Sequence, residues 1–251
     1  MLACNCQLMN PTLLITGAAV RLGALMARSL AQSGWHVIIH AHRSLKEAKL
    51  LCDQLRSEGL QASCVIGDLT TAQGPEAVFQ SALDCAETIT ALINNAAVFE
   101  RQTLTTATAA DFENMWRINT LAPIRLTQLL AAHVQTRNTC GCVVNLLDQR
   151  ITQIGSDALP YLLSKKTLAD FTLTAALALA PSLRVNAVAP GAVLLATQTK
   201  AQEPAGYFPL NKRPLAQHVL EAVRYLLDAP GITGQIIYVD SGQHLAGTKP
   251  S

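Results

Sequence analysis

The sequence predicts an α/β fold: one doubly wound domain with a seven-stranded parallel sheet and helices on both of its faces. Apolar runs alternate with helical patterns along the whole chain, as in parallel sheets joined by crossover helices. The runs are continuous, which is typical of strands that are buried on both faces. The 251 residues suffice for one large core and no linker divides them, so we predict a single domain over residues 1–251.

Each element is predicted from its own pattern and stop signal. Short apolar runs predict strands at 13–16, 37–40, 62–66, 91–93, 142–147, 184–188 and 235–239. Helical spacing predicts helices at 20–33, 45–57, 75–85, 111–135, 161–180 and 215–228, with a bend at Pro123 in the long one. The segment 192–213 has little pattern, and we expect it to form a loop that covers a substrate.

Composition and charge exclude several classes of protein. Half of the residues are apolar and 14% are charged, which argues against disorder. A net charge of +2 argues against a nucleic acid or a membrane surface as partner, and no apolar stretch is long enough to span a bilayer. The seven cysteines are scattered, which favours reduced thiols and a cytoplasmic location. They show no metal-ligand spacing, so we predict no metal site.

A glycine turn follows the first predicted strand. Thr16-Gly17-Ala18-Ala19-Val20-Arg21-Leu22-Gly23 leads from that strand into a helix. The free amides and positive dipole end of such a helix favour a pyrophosphate, and glycine lets the backbone approach it closely. We therefore predict dinucleotide contacts at Gly17, Arg21, Leu22 and Gly23.

The segment after the second predicted strand indicates which dinucleotide binds. A carboxylate there would bind the ribose 2′-hydroxyl and select NAD. This chain has His42, Arg43 and Ser44 instead, and no acid before Glu47. A guanidinium fork fits a 2′-phosphate, so we predict NADP(H), the alternative being a solvated basic loop.

Further cofactor contacts are predicted where other strands end. Asp68 follows the third strand and could accept from the adenine amino group, while Leu69 could pack on the ring. Asn95 and Ala96 end the fourth strand at the same sheet edge as Gly17, where ligands collect in such folds.

Tyr161 and Lys165 stand four residues apart, on one face of a predicted helix. A nearby ammonium stabilises a phenolate, so we expect Lys165 to lower the pKa of Tyr161 toward neutrality and make it a usable acid. The lysine could also bind the nicotinamide ribose. Reduction of a carbonyl or imine needs a hydride and a proton, which NADPH and Tyr161 would supply.

These features together resemble the short-chain dehydrogenases/reductases over nearly the whole chain. The matching residues are the glycine turn, Asn94-Asn95-Ala96, Asn119, Tyr161 with Lys165, and Arg184-Val185-Asn186 leading to Pro190-Gly191. The resemblance implies a Rossmann fold and a homotetramer built through the helices that carry Asn119 and Tyr161. It also implies that Asn119 helps to hold a water linking Lys165 to solvent, and that Pro190 and Gly191 contact the cofactor.

Three departures make the chain similar to a narrower group, the pteridine reductases and bacterial dihydromonapterin/dihydrofolate reductases. Arg21 replaces the middle glycine of the turn, Asp148 replaces the usual serine, and His42-Arg43-Ser44 follows strand two. The resemblance implies that Arg21 reaches cofactor phosphate and pterin, that Asp148 joins Tyr161 in catalysis, and that Phe99 stacks on the pterin. Ala97 departs from the serine common in that group.

The chemistry of Asp148 gives an independent argument. A serine there would donate to a ketone oxygen, whereas an ionised aspartate cannot donate and disfavours a developing alkoxide. Asp148 could instead bind the amino-pyrimidine part of a pterin or hold Tyr161, the alternative being a simple turn cap.

The sequence therefore predicts an NADPH-dependent reductase of a pterin of the dihydromonapterin, dihydrobiopterin or dihydrofolate type. Arg21, Phe99, Asp148 and Tyr161 would bind the substrate, and Asp148, Tyr161, Lys165 and Asn119 would form the catalytic group. The first alternative is a reductase of ketones or acyl thioesters. The second is a non-enzymatic NADP-binding sensor.

Overall fold

The strands form one parallel sheet in the predicted doubly wound order. The computed structural model describes residues 11–193 and 207–246. The strand order is β3-β2-β1-β4-β5-β6-β7, and every neighbouring pair is parallel. The predicted fold class is confirmed. The strands are β1 (Thr12–Ile15), β2 (His36–Ala41), β3 (Ala62–Ile66), β4 (Ala91–Asn94), β5 (Gly141–Leu146), β6 (Leu183–Pro190) and β7 (Ile236–Val239).

Helices connect the strands and cover both faces of the sheet. They are α1 (Arg21–Gln32), α2 (Leu45–Ser57), α3 (Gly74–Cys85), α4 (Ala109–Trp116), α5 (Ala122–Thr136), α6 (Leu159–Ala178) and α7 (Ala216–Asp228). Short 3-10 turns follow at Gln149–Thr152 and Gln243–Leu245. In the parts of the chain that the structure describes, no helix is long and apolar enough to cross a membrane.

Alternate residues of the central strand face two separate cores. Leu13 and Ile15 of β1 pack into one buried cluster that also holds Met26 of α1 and Val223 of α7. Leu14, between them, belongs to the cluster on the other face, which α3, α5 and α6 complete. All four residues of β1 are buried, because a central strand of a parallel sheet has helices over both faces.

The long helix predicted over 111–135 is divided. A π-helical segment, Arg117–Leu121, separates α4 from α5, and Pro123 lies in the first turn of α5. Proline cannot donate its backbone nitrogen to a hydrogen bond, and a π turn before it accommodates that loss. The irregularity lies one turn before the bend that the sequence predicts.

The cysteines differ from the expectation of reduced thiols throughout. Among the described residues, Cys52, Cys64, Cys85 and Cys142 are free thiols. Cys140 is disulfide-bonded. Scattered spacing in the sequence is therefore an insufficient guide to the redox state of every cysteine.

Candidate active site

A cavity of about 810 Å³ opens at the carboxyl edge of the sheet. The ends of β1, β4 and β5 and the start of α1 border it, as expected where the strand order of a doubly wound sheet reverses. The residues predicted as site residues that line it are Gly17, Arg21, Leu22, Gly23, His42, Asp68, Leu69, Asn95, Ala96, Phe99, Asp148, Tyr161, Pro190 and Gly191.

The glycine turn is packed directly against the end of β4. Gly17 has a positive φ of 62°, and a Cβ there would lie 2.9 Å from Ala96 Cα. A Cβ on Gly23 would lie 2.4 Å from the Gly17 carbonyl oxygen. Asn95 Nδ2 donates to the carbonyls of Thr16 and Gly17, both at 2.9 Å. The two glycines are therefore required by close backbone approach, and Asn95 fixes the turn.

Arg21 occupies a conformation that normally favours glycine. Its φ is 54°, in the left-handed region, at the first residue of α1. Glycine would adopt this conformation without strain, whereas an arginine here costs roughly 1 kcal/mol of backbone strain. Its exposed side chain lines the cavity from the side of the turn.

His40 ties the glycine turn to the segment after β3, a role that the sequence did not reveal. The Gly17 amide donates to His40 Nδ1 at 3.3 Å, and His40 Nε2 lies 3.1 Å from the Gly67 carbonyl oxygen. A neutral ring with its proton on Nε2 satisfies both contacts. Burial lowers the pKa of His40 to about 4, so the ring is neutral at physiological pH.

The segment predicted to select the cofactor lies at the other end of the cavity. His42 Nε2 lies 3.7 Å from Asp68 Oδ2, and Asp68 Oδ1 accepts from the Thr70 amide at 2.9 Å. The hydrogen bond from the Thr70 amide lowers the pKa of Asp68. Arg43 is exposed, and Ser44 precedes α2 without a side-chain capping bond. Leu69, which follows Asp68, is buried and lines the cavity.

Asp148 and Tyr161 lie side by side on the cavity wall. The Tyr161 hydroxyl donates to Asp148 Oδ2 at 3.1 Å. Asp148 also caps the 3-10 turn that follows it, since its Oδ1 accepts from the Arg150 amide at 2.9 Å. The carboxylate is therefore a turn cap and a partner of Tyr161 at once, and the two interpretations are compatible.

Arg150 is a residue that the sequence reasoning missed. Its Nε donates to Asp148 Oδ1 and its Nη2 to Asp148 Oδ2, each at 3.1 Å. Its guanidinium carbon lies 5.4 Å from the ring centroid of Phe99 and 5.5 Å from that of Tyr161. The only sequence signal is an arginine two residues after Asp148, and such a spacing is too common to select it.

The pKa of Tyr161 moves opposite to the prediction. Burial and the negative charge of Asp148 raise it well above the usual value for a tyrosine. Lys165 Nζ lies 6.0 Å from the ring centroid and donates to the Leu146 carbonyl at 2.6 Å. The expectation that Lys165 lowers this pKa toward neutrality is wrong here, because desolvation and a neighbouring carboxylate both favour the neutral phenol. Burial lowers the pKa of Lys165 itself to about 8.

The Asn119 side chain is buried in the π segment and is hydrogen-bonded to the loop that follows β4. Its Oδ1 accepts from the Val98 amide at 2.9 Å, and its Nδ2 donates to the Val98 carbonyl at 3.0 Å. Nδ2 also lies 3.1 Å from Ser164 Oγ, which donates to the Tyr161 carbonyl. The side chain thus links the loop that carries Phe99 to the helix that carries Tyr161. Its predicted contact with a water stays a prediction.

Phe99 is not a core residue. It is 48% exposed, and its ring meets that of Tyr161 edge-on, with centroids 4.9 Å apart. A half-exposed ring on a cavity wall is available for stacking on a planar ligand. This exposure removes the ordinary alternative, in which a phenylalanine after a strand packs inside.

The far wall is formed by Pro190, Gly191 and a residue that the sequence did not suggest, Gln243. A Cβ on Gly191 would lie 2.4 Å from Gln243 Oε1. Beyond it, only 192–193 and 207–213 of the predicted covering loop belong to the described residues. Tyr207 lines the cavity and Phe208 is buried against it, with ring centroids 4.9 Å apart.

The fold and these residues define an oxidoreductase of the short chain dehydrogenase family. A model of that family matches residues 11–206, and the chain belongs to it. The crystal structure of FolM alternative dihydrofolate reductase 1 from Brucella suis, in complex with NADP, is 32% identical. The similarity covers 97% of this chain and 99% of that one, with a TM-score of 0.88.

Curated relatives include reductases of different substrates. Pteridine reductase 1 of Leishmania tarentolae is 28% identical, over 94% of this chain and 96% of its own length. L-xylulose reductase of Mesocricetus auratus is 29% identical, over 91% of this chain and 94% of its own length. Sequence identity alone therefore does not distinguish a pterin substrate from a carbonyl substrate. The distinction has to come from the residues of the site.

Proposed function

We propose that this protein reduces a ring C=N bond of a pterin, of the dihydromonapterin, dihydrobiopterin or dihydrofolate type, with NADPH. The observation that carries the proposal is the 3.1 Å hydrogen bond from the Tyr161 hydroxyl to Asp148 Oδ2. A carboxylate beside the proton donor disfavours the alkoxide that forms from a ketone. The similarity to an alternative dihydrofolate reductase and to a pteridine reductase supports the same choice.

NADP(H) is the cofactor that the residues fit. Gly17 and Gly23 leave the backbone free for a pyrophosphate, since a Cβ on either would collide with neighbouring backbone. The start of α1 adds unpaired amides and the positive end of the helix dipole. The remaining contacts that we propose are His42, Arg43 and Ser44 to the 2′-phosphate, Asp68 and Leu69 to the adenine, and Arg21, Leu22, Asn95, Ala96, Tyr161, Lys165, Pro190 and Gly191 to the rest of the cofactor.

A side chain of this protein supplies the proton that the reduction needs. When bound, NADPH supplies a hydride to the ring carbon, and the ring nitrogen takes up one proton. Tyr161 donates that proton, because its raised pKa keeps the phenol protonated at neutral pH. The new N–H is a weaker acid than an alcohol O–H, so a phenol of high pKa still transfers its proton favourably.

Lys165 and Asp148 have opposite effects on Tyr161. The Lys165 ammonium, 6.0 Å from the ring centroid, favours the phenolate that remains after proton donation. Asp148 orients the hydroxyl and disfavours that phenolate, so that Tyr161 regains a proton from solvent.

In the proposed complex Phe99 stacks on the pterin, and Arg21 and Asp148 border its polar edge. Asn119 positions the elements that carry Phe99 and Tyr161.

We propose that residues 1–251 form one domain, with the segment 192–213 over the substrate. We further propose a cytoplasmic homotetramer with no nucleic-acid or membrane partner. Large apolar side chains on the helices named for this assembly support it, since Leu163, Leu173 and Leu177 of α6 are 43%, 48% and 84% exposed. Trp116 and Leu121 are 40% and 45% exposed before α5. Light scattering of the purified protein measures the assembly directly.

The decisive experiment is a comparison of substrates. NADPH oxidation by the purified protein is followed with 7,8-dihydromonapterin, 7,8-dihydrobiopterin, 7,8-dihydrofolate and a panel of ketones and acyl thioesters. We expect kcat/KM for at least one pterin to exceed that for every carbonyl compound. Faster turnover of a simple ketone than of all pterins would establish the carbonyl reductase instead. NADPH binding without turnover of any compound would establish a sensor.

A further inference from the structure

The end of a pterin that reacts must lie beside the Tyr161 hydroxyl, because a proton donor has to be within hydrogen-bond reach of the atom that it protonates. In a 7,8-dihydropterin the C=N bond that takes the hydride joins N5 to C6. Tyr161 protonates N5 in the proposed reaction, and C6 carries the substituent of the ring. An oxygen on the first carbon of that substituent is three bonds from N5. The groups that surround the Tyr161 hydroxyl therefore lie close to this oxygen as well.

The guanidinium of Arg150 is fixed next to that hydroxyl. Arg150 Nη2 and the Tyr161 hydroxyl donate to the same acceptor, Asp148 Oδ2, each at 3.1 Å. Arg150 Nε donates to Asp148 Oδ1, also at 3.1 Å, and this second bond fixes the plane of the guanidinium. Its central carbon lies 5.4 Å from the centroid of the Phe99 ring and 5.5 Å from that of Tyr161. The cation therefore lies beside both the proposed proton donor and the proposed stacking ring.

The guanidinium keeps donors that Asp148 does not use. An arginine side chain has more N–H groups than the two that bind this carboxylate. Within residues 11–193 and 207–246, Arg150 Nη1 donates to no acceptor. Arg150 lines the cavity, and its side chain is 26% exposed. The remaining donors are therefore partly shielded from water, where a charge-assisted hydrogen bond to a ligand is stronger than in bulk solvent.

We propose that Arg150 is a specificity-determining residue that binds an oxygen atom on the first carbon of the C6 substituent of the pterin. This inference rests on the proposed function. A hydroxyl at that carbon accepts a hydrogen bond from the guanidinium, and Asp148 serves as the anchor that holds the guanidinium in place. An alkyl group would displace water from the free donors and leave them without a partner, which costs free energy. Arg150 therefore favours hydroxyalkyl pterins over plain alkyl pterins.

Two substrates that differ by a single oxygen test this contact, 6-hydroxymethyl-7,8-dihydropterin and 6-methyl-7,8-dihydropterin. NADPH oxidation gives kcat/KM for each compound with the wild-type protein and with Arg150→Met, whose unbranched apolar side chain has no N–H donor. We expect the ratio of the two kcat/KM values, hydroxymethyl over methyl, to fall about tenfold in the variant. The intrinsic reactivity of each compound is the same for both proteins, and a weaker Asp148–Tyr161 pair affects both compounds alike. The change in the ratio therefore isolates the contact with the oxygen.

Arg101→Met is the matched control, because Arg101 lines the same cavity but pairs with Asp157, at 3.9 Å. We expect this variant to leave the ratio unchanged. Arg150→Lys is the second variant if Arg150→Met does not fold. Its ammonium can pair with Asp148 but has no second arm for the substituent, so the ratio should fall here too. Fluorescence titration of the NADP⁺-loaded proteins with the oxidised, unreactive 6-hydroxymethylpterin and 6-methylpterin makes the same comparison of Kd values without turnover.

The inference and the proposed function can fail separately. If the wild-type protein reduces both compounds and the Arg150 variants keep the wild-type ratio, Arg150 only orders Asp148 and the inference is overturned. An equal fall of the ratio in Arg101→Met would overturn it as well, because the loss of a positive charge would then explain the effect. If the wild-type protein reduces neither compound and no other pterin, the proposed function fails and the inference fails with it.

Discussion

The Tyr161 hydroxyl donates a hydrogen bond to Asp148 Oδ2 across 3.1 Å, and this pair sets the acid–base character of the site. Asp148 adds its charge to the effect of burial, and the pKa of Tyr161 rises as a result. The raised pKa keeps the phenol protonated at neutral pH, so Tyr161 is present as a proton donor and its phenolate, the form that acts as a base, is rare.

Asp148→Ser is expected to shift the substrate preference toward carbonyl compounds. A serine donates to a ketone oxygen and removes the charge that opposes an alkoxide. We expect kcat/KM for pterins to fall about 10- to 100-fold, which corresponds to about 1.4 to 2.7 kcal/mol of transition-state stabilisation. Steady-state rates with both substrate classes measure it, and the Kd for NADPH serves as control. Unchanged pterin turnover would leave Asp148 as a turn cap only.

Lys165→Met is expected to inactivate the protein and to stabilise its fold at pH 7. Burial lowers the pKa of Lys165 to about 8 from its usual 10.5, so the unfolded chain binds the proton more tightly. The charged lysine therefore costs about 3 kcal/mol of folding free energy below pH 8, and the cost fades between pH 8 and 10.5. Urea unfolding of wild type and variant across this range measures the difference. Lys166→Met, at the partly exposed neighbour, is the control, and a difference independent of pH would contradict the prediction.

His40 is expected to make the glycine turn sensitive to acid. Its folded pKa is about 4, below the usual 6.5, so the unfolded chain binds a proton first as the pH falls. The stability that neutral His40 contributes is complete above pH 6.5 and is lost toward pH 4, by about 3 kcal/mol. Urea unfolding of wild type and His40→Asn at several pH values measures this loss. If the free energy of unfolding changes with pH in the same way for both proteins, His40 contributes nothing to the loss of stability at low pH.

Gly23→Ala is expected to disrupt the dinucleotide turn. The added Cβ would lie 2.4 Å from the Gly17 carbonyl oxygen, so the turn or the helix must shift. We expect NADPH affinity to fall at least about tenfold, together with a loss of about 1 to 3 kcal/mol in stability. Gly231→Ala is the matched control, because its Cβ would meet nothing within 4 Å. Titration of NADPH and thermal melts of both variants measure the effect, and equal behaviour would argue against close packing at Gly23.

Arg43→Ala is expected to weaken NADPH binding far more than NADH binding. The side chain is exposed after β2, where we propose a charge-assisted contact with the 2′-phosphate. Loss of such a contact corresponds to about 1.5 to 3 kcal/mol, or about 10- to 150-fold in Kd. Lys46→Ala removes an exposed charge at the second residue of α2 and is the control. Equal losses for the two cofactors would exclude a specific phosphate contact.

Much of this protein follows from local pattern. Strand and helix periodicity is a property of consecutive residues, so six of the helical regions and all seven strands were predictable within a few residues. The glycine turn and the spacing of Tyr161 from Lys165 are equally local. Parallel strands bring their carboxyl ends to one edge, which is why Asn95 and Gly17 could be placed together from the sequence.

Tertiary structure alone decided the electrostatics and packing of the site. The pKa of Tyr161 depends on how deeply it is buried and on which charge lies nearer, and no spacing along the chain encodes either quantity. The position of Arg150 over Phe99 depends on two elements that are distant in sequence. His40 likewise contacts Gly17 across 23 positions. The sequence determined the sheet, the turn and the catalytic pair, and three-dimensional packing determined how Asp148 is shared between Tyr161 and Arg150.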